Sequence, residues 1–220
     1  MRFLVGAGLV AVLCTATGQG AGAYPAATAT HAKHAATVQV VVHPVMSTGH
    51  PNSAYTVQRG QGKIDCSFPS PSPGARSKNV EFCSPSYEYA IACWKASAAH
   101  HALCIRDPHS TKLTKLKLMG KFAHTKLAPK KDRAPLRLVL SDGTVCLIRD
   151  GGAWGVLKSH PKWYGTYSCD HHGVVWSPPN ANHWGVVESH ASWTVRTASG
   201  AGKGKVVTRH IKRAYFVATA

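Results

Sequence analysis

From Leu136 onward, apolar and polar positions alternate in short runs broken by Gly, Asp, Asn and Pro, the pattern of antiparallel strands joined by tight turns. Leu136–Leu140 and Val145–Arg149 read as a hairpin, because Ser141-Asp142-Gly143 between them supplies the positive φ that such turns need. Asp150-Gly151-Gly152 turns again into Ala153–Leu157. Trp163–Cys169, Val174–Ser177, Trp184–Glu188 and Trp193–Thr197 follow, punctuated by His171-His172-Gly173 and Pro178-Pro179-Asn180. The last segment, Val206–Val217, fits a helix with Val207, Ile211 and Ala214 on one face, but its β-branched residues favour a strand. Upstream, Val80–Cys83, Tyr87–Trp94 and Ala102–Arg106 read as strands, with Val38–Val42 as an early one ended by Pro44. Residues 47–54 and 69–79 read as loops, and Pro69, Pro71 and Pro73 are expected to forbid a regular ladder there.

No β-α-β alternation and no repeat of fixed period interrupts this pattern. The expected fold is mainly β: an antiparallel meander forming a small sandwich or partly open barrel, with at most short helices. Residues 24–55, rich in Ala, Thr and His, read as a flexible arm. Residues 56–220 read as one β-rich domain, with lobes at 56–110 and 132–220 joined by a Lys-rich segment.

Cysteine placement adds a compartment. Arg2, the apolar run Phe3–Leu13 and Ala21-Gly22-Ala23 make residues 1–23 read as a secretory signal peptide cleaved before Tyr24, too short to span a bilayer. Cleavage removes Cys14 and leaves Cys66, Cys83, Cys93, Cys104, Cys146 and Cys169, an even set that in an exported chain reads as three disulfides. Pairing of sequence neighbours is the expected connectivity: Cys66–Cys83, Cys93–Cys104 and Cys146–Cys169. The protein is expected to be secreted, extracellular or associated with the cell envelope, with no transmembrane segment once the leader is gone.

Charge narrows the chemistry. Lys and Arg number 26 against nine Asp and Glu, a net +17 with neutral His, and cleavage of the leader removes Arg2 alone. Lys112, Lys115, Lys117, Lys121, Lys126, Lys130 and Lys131, with Arg133 and Arg137 after them, alternate with leucines. If the segment is a strand, Leu116 and Leu118 face inward while Lys115 and Lys117 face out. Such a cationic ridge attracts polyanions, so an envelope glycan, nucleic acid or acidic lipid surface is the expected partner class. Trp154, Trp163, Trp176, Trp184 and Trp193 read as core before they read as a stacking surface.

Catalytic signatures are thin. G-x-S-x-G and H-E-x-x-H do not occur, and Asp142 and Asp150 read as turn formers. No catalytic residue, cofactor or metal is assigned. The leading expectation is a non-catalytic binding protein. Two alternatives stand beside it: a hydrolase using an Asp/His or metal-assisted site at Asp170–His171 or Asp107–His109, and an inhibitor or host-directed module presenting the Pro-rich loop 69–79.

Phe82-Cys83-Ser84-Pro85-Ser86, Ile91-Ala92-Cys93, Asp142-Gly143-Thr144-Val145-Cys146, Arg149-Asp150-Gly151-Gly152-Ala153-Trp154, Tyr164-Gly165-Thr166-Tyr167-Ser168-Cys169 and Trp193-Thr194-Val195-Arg196 together resemble small secreted proteins of unknown function from mycobacteria and related high-GC Gram-positive bacteria. The chain departs from that pattern at Tyr87-Glu88 and in its Lys-rich stretch. The resemblance implies secretion, disulfides and a β-rich fold, and carries no catalytic residues with it.

Overall fold

Two small barrels, built from consecutive parts of the chain, share one compact unit over residues 34–220. The computed structural model describes residues 34–84, 91–149, 155–179, 183–199 and 204–220. The expected leader, the first part of the expected arm, the Asp150-Gly151-Gly152 turn and Trp154 lie outside them.

The first barrel closes through β2 (Thr56–Pro71), β3 (Glu81–Ser84), β4 (Ala92–Lys95), β5 (His101–Ile105) and β6 (Lys112–Leu118). Neighbours are antiparallel except at the seam, where β6 runs parallel to β2. The second barrel uses β7 (Arg137–Leu140), β8 (Val145–Ile148), β9 (Tyr164–Cys169), β10 (Gly173–Ser177), β11 (Thr194–Ser199) and β12 (Val207–Thr219). It is an antiparallel meander closed by β12 against β7. β1 (Val38–Val45) joins its sheet parallel to β12. Closure leaves few bare edges, which is how a small all-β protein avoids sticking to its own kind.

The mainly β, disulfide-stapled fold is therefore the one the sequence pattern anticipates, and Val207–Thr219 is a strand. No described helix is long and apolar enough to cross a membrane. All three neighbour disulfides form, and two of them join residues directly opposite in the ladder, Cys93 with Cys104 and Cys146 with Cys169.

Four expectations need correction. The arm does not reach residue 55, because β1 and the turns after it are packed into the unit. Thr37 anchors the start of β1 where β11 leaves β12. Its hydroxyl donates to the Ile211 carbonyl at 2.6 Å and accepts from the Trp193 N–H at 2.8 Å. Next, the Lys-rich stretch is not a linker between lobes: its first part is β6, the seam strand of the first barrel. Third, the prolines do not end the ladder, since β2 continues to Pro71 opposite Glu81. Alternate residues of a strand aim their N–H groups to the same side, so Pro69, Pro71 and Pro73 leave the other side to Ser70 and Ser72. Ser72 donates to the Val80 carbonyl at 3.0 Å. Fourth, Trp184–Glu188 is not a strand but makes a single bridge, Val187 to Thr194, because Gly185 takes φ +73°. Residues 155–157 of the expected Ala153–Leu157 strand are also outside any ladder, and Gly155 has φ +71°.

Packing follows the alternation. Ile64, Cys66, Cys83, Cys93, Ala102, Cys104, Leu116, Leu118 and Phe122 form the interior of the first barrel. β5 is buried on both faces: Leu103 and Ile105 point the other way and join Trp94, Leu113, Leu136 and Leu138 in a larger cluster that runs into the second barrel. Of the described tryptophans, Trp94, Trp176, Trp184 and Trp193 are buried and Trp163 is half-buried, as a core role requires. The register of β2 against β3 slips between Asp65 and Ser70, and in that slip Phe68 is thrown outward to 94% exposure.

Candidate anion-binding face

β6 lies between β2 and β5, so its outward side chains acquire neighbours from both. Leu116 and Leu118 are buried in the interior of the first barrel, while Lys115 is half-buried and Lys117 exposed, as alternation demands; Leu113, of the same parity as the lysines, is buried on the other face, in the cluster of Trp94, Leu103 and Leu136. Register then decides the chemistry. Lys115 stands opposite Arg59 of β2, while Lys117 stands opposite Lys63 of β2 on one side and His101 of β5 on the other. Adjacent strands are about 4.8 Å apart, and like charges placed directly opposite destabilise a sheet. Among the described residues, none of Arg59, Lys63, Lys115 and Lys117 has a carboxylate within ion-pairing distance. The neighbouring acid, Asp65, is turned to its own strand: its Oδ1 accepts the Ser67 N–H at 2.8 Å, and the Ser67 N–H and hydroxyl hold its carboxyl below the usual range. The result is a two-strand pair, Arg59 with Lys115, and a three-strand row, Lys63 with Lys117 and His101, with no ion-paired carboxylate among the described residues.

The other residues of the expected ridge scatter. Lys112 begins β6 opposite Thr56. Lys121 is exposed, and its carbonyl accepts the Ser67 hydroxyl. Lys126 follows Thr125, which is bound to buried Glu81. Lys130 and Lys131 sit in a 3-10 turn on the way to the second barrel. Arg133 and Arg137 are half-buried and engaged. Arg133 Nε donates to the Ala128 carbonyl at 2.7 Å, and Arg137 pairs with Asp107 while its guanidinium lies 5.9 Å from the Tyr215 ring centre. Lys115 and Lys117 thus belong to the face, Arg133 and Arg137 to the scaffold. Arg59, Lys63 and His101 complete it. The linear sequence hides them, because only the parallel seam brings residue 59 beside 115 and residue 63 beside 117.

The residues named for hydrolysis are placed differently. Asp107 is taken up by Arg137 and by the His109 N–H. Asp170 and His171 line a cavity of about 300 Å³ with Thr144, Ser199, Lys205 and Arg209. Both are exposed there, Asp170 accepts the Val145 N–H at 3.3 Å, and His171 has φ 57°. Among the described residues no three His, Cys, Asp or Glu side chains gather as a metal would require. The loop 69–79 is not displayed as an inhibitory loop would be, since Ser72, Pro73, Gly74 and Ala75 are buried. No family model, no curated protein and no solved structure matches this chain.

Proposed function

We propose that the protein is a non-catalytic, extracellular or envelope-associated binding module that holds an anionic polymer against Arg59, Lys63, Lys115, Lys117 and His101. One observation carries this reading: Arg59 stands directly opposite Lys115 and Lys63 opposite Lys117 across the β2–β6 seam, with no ion-paired carboxylate among the described residues. Left alone, that arrangement weakens the sheet. A polyanion laid across the strands relieves the repulsion and releases its own condensed counterions, so binding is favourable and sensitive to salt. Three disulfides and the leader-like N-terminus support an oxidising compartment.

The test is salt-gradient elution from immobilised polyphosphate and from a sulfated glycan. Lys115→Glu/Lys117→Glu is compared with a charge-matched control, Lys158→Glu/Lys162→Glu, at exposed positions of the second barrel. The face variant is expected to elute at clearly lower salt than the control, with the logarithmic salt slope falling by roughly one per lysine that touches an anionic group. Equal elution of the two variants overturns the proposal, because net charge alone would then account for retention.

A further inference from the structure

A cleft of about 380 Å³ opens where five sequence-remote segments meet: the turn after β1, the end of the β2–β3 loop, the β4–β5 turn, the connector after β6, and the end of β12. Lys78, Lys95 and His124 line it together with Ser47, Thr48 and Ser97, and the Thr48 hydroxyl also meets His50 Nδ1 at 3.2 Å. Among the described residues, no carboxylate side chain is part of the lining. Glu81, the carboxylate beside lining residue His124, is fully buried. Its Oε1 accepts the Thr125 N–H at 2.9 Å, its Oε2 accepts the Thr125 hydroxyl at 2.5 Å, and His124 Nδ1 lies 3.9 Å from Oε1. A buried carboxylate is tolerated only when it is well bonded. Here its bonds fix residue 125 and so hold the neighbouring imidazole at the cleft.

The walls are set by backbone that a freely chosen sequence would avoid. Gly49 has φ +80°, and a Cβ there would sit 2.7 Å from the Lys95 carbonyl oxygen and 2.7 Å from the Ser97 nitrogen. Its carbonyl accepts the Ser97 N–H at 2.9 Å, locking two walls together. Asn79, next to Lys78, holds φ 67° without being glycine. Gly49 takes its left-handed φ freely, whereas Asn79 is a non-glycine position of the kind that gathers at ligand sites.

We propose that this cleft is a binding site for a compact oxyanion, a phosphate or sulfate group, carried on a small polar molecule. Two ammonium groups supply the charge, and the imidazole and three hydroxyls supply directional hydrogen bonds of the kind a tetrahedral, multi-oxygen anion accepts. The volume exceeds what a bare ion fills and falls in the lower range of small-ligand pockets, which leaves room for the carrier. Arg59, Lys63, Lys115, Lys117 and His101 are not among the described residues that line the cleft.

The experiment is titration of the intact, disulfide-bonded protein by calorimetry and NMR with inorganic phosphate, inorganic sulfate, a hexose 6-phosphate and the free hexose. Saturable binding of the anions and none of the free hexose is expected. Tighter binding of the hexose phosphate than of inorganic phosphate identifies an ester as the natural source, and equal binding identifies the free anion. Lys78→Ala/Lys95→Ala should weaken binding on the order of tenfold or more, while Lys115→Ala/Lys117→Ala leaves it unchanged. Lys78→Gln/Lys95→Gln, of similar length to the parent side chains, repeats the test should the alanine variant lose its near-UV circular dichroism. The site is overturned if no anion saturates, if the cleft variants bind like the parent, or if the face variant weakens binding equally.

Discussion

The two barrels solve the same closure problem by different means. In the first, four of the nine interior residues are half-cystines, and the apolar remainder is Ile64, Ala102, Leu116, Leu118 and Phe122. In the second, Leu138, Leu140, Tyr167, Val175, Val195, Ile211 and Phe216 fill the space, and its one disulfide, Cys146–Cys169, has a half-buried end. A small interior removes too little apolar surface from water to offset the entropy of ordering its chain, so covalent links substitute for burial. Charge divides the same way. Arg137 and Arg209 of the second barrel are paired with Asp107 and Asp142, whereas the rows on the first barrel are not. The part held together by cystine also carries the opposed cations, and bonds that do not depend on charge make that tolerable.

The sharpest way to break this comparison is to remove the links. Each disulfide of the first barrel, closing 17 and 11 residues, stabilises by about 3 kcal/mol through the unfolded chain. Replacing all four cysteines by alanine therefore removes roughly 6 kcal/mol, comparable with the whole stability of a small domain. Hydrogen exchange should show β2–β6 unprotected while β7–β12 stay protected. Replacing Cys146 and Cys169 should lower stability by about 3 kcal/mol and leave both barrels folded. Equal loss of protection in both barrels after either change would show that they do not differ in this respect.

Next in size is Leu138→Ala. The side chain is fully buried in the second barrel, and its loss should cost about 2–5 kcal/mol by chemical denaturation. A loss below 1 kcal/mol would mean that packing does not hold this barrel either.

Tyr167→Phe probes the same core through its one polar group. The fully buried hydroxyl donates to the Pro135 carbonyl at 2.8 Å, so the variant should lose about 1–2 kcal/mol at neutral pH. Burial, reinforced by the charge of Glu188, holds this phenol well above the ordinary tyrosine value. A folded pKa above the unfolded one means that the contribution is complete below pH about 10 and is lost as pH rises beyond it. The parent should therefore lose denaturant resistance above pH 10 more steeply than the variant. Parallel alkaline profiles would refute this assignment.

The smallest effect expected is in acid. Asp142 is raised by desolvation but lowered more by the Thr144 N–H and side chain and by Arg209, so its folded pKa lies below the unfolded one. Such a group stabilises above the ordinary aspartate range and stops doing so as pH falls through its folded value. Asp142→Asn should flatten the acid limb of second-barrel stability only slightly, because the pair with Arg209 is largely solvent-exposed. A change in melting temperature at pH 7 as large as that of Leu138→Ala would contradict the view that exposed pairs contribute little here.

Local chemistry made much of this molecule legible in advance. Gly143 takes φ +88°, with its N–H bonded to the Leu140 carbonyl, where Asp142-Gly143 was read as a turn. Neighbouring cysteines pair because hairpins bring sequence neighbours together. β2 was not legible: Arg59-Gly60-Gln61-Gly62-Lys63 shows no alternation, and of residues 56–71 only Ile64 and Cys66 are buried. Its identity as a strand comes from β6, fifty-odd positions away, and no local pattern encodes a parallel seam. Arg59 and Lys63 of the candidate face were hidden for that reason. Lys115 and Lys117 declared themselves by spacing, while Arg59 and Lys63 became visible only through register. Arg133 and Arg137 misled because a linear count of charge cannot see Ala128 and Asp107 waiting for them.

The position of β12 has a consequence for how the chain folds. The first barrel is complete once Leu118 has joined β2, so it can close while the rest of the chain is still unmade. The second barrel cannot. Its seam, β7 with β12, and the parallel addition of β1 both need the last residues of the sequence, and Val45 waits for Thr219. Contacts between such distant positions carry a large loop-closure penalty and slow folding. The N-terminal strand and the C-terminal strand thus act as a clasp: until it shuts, one barrel is a finished object and the other an open sheet.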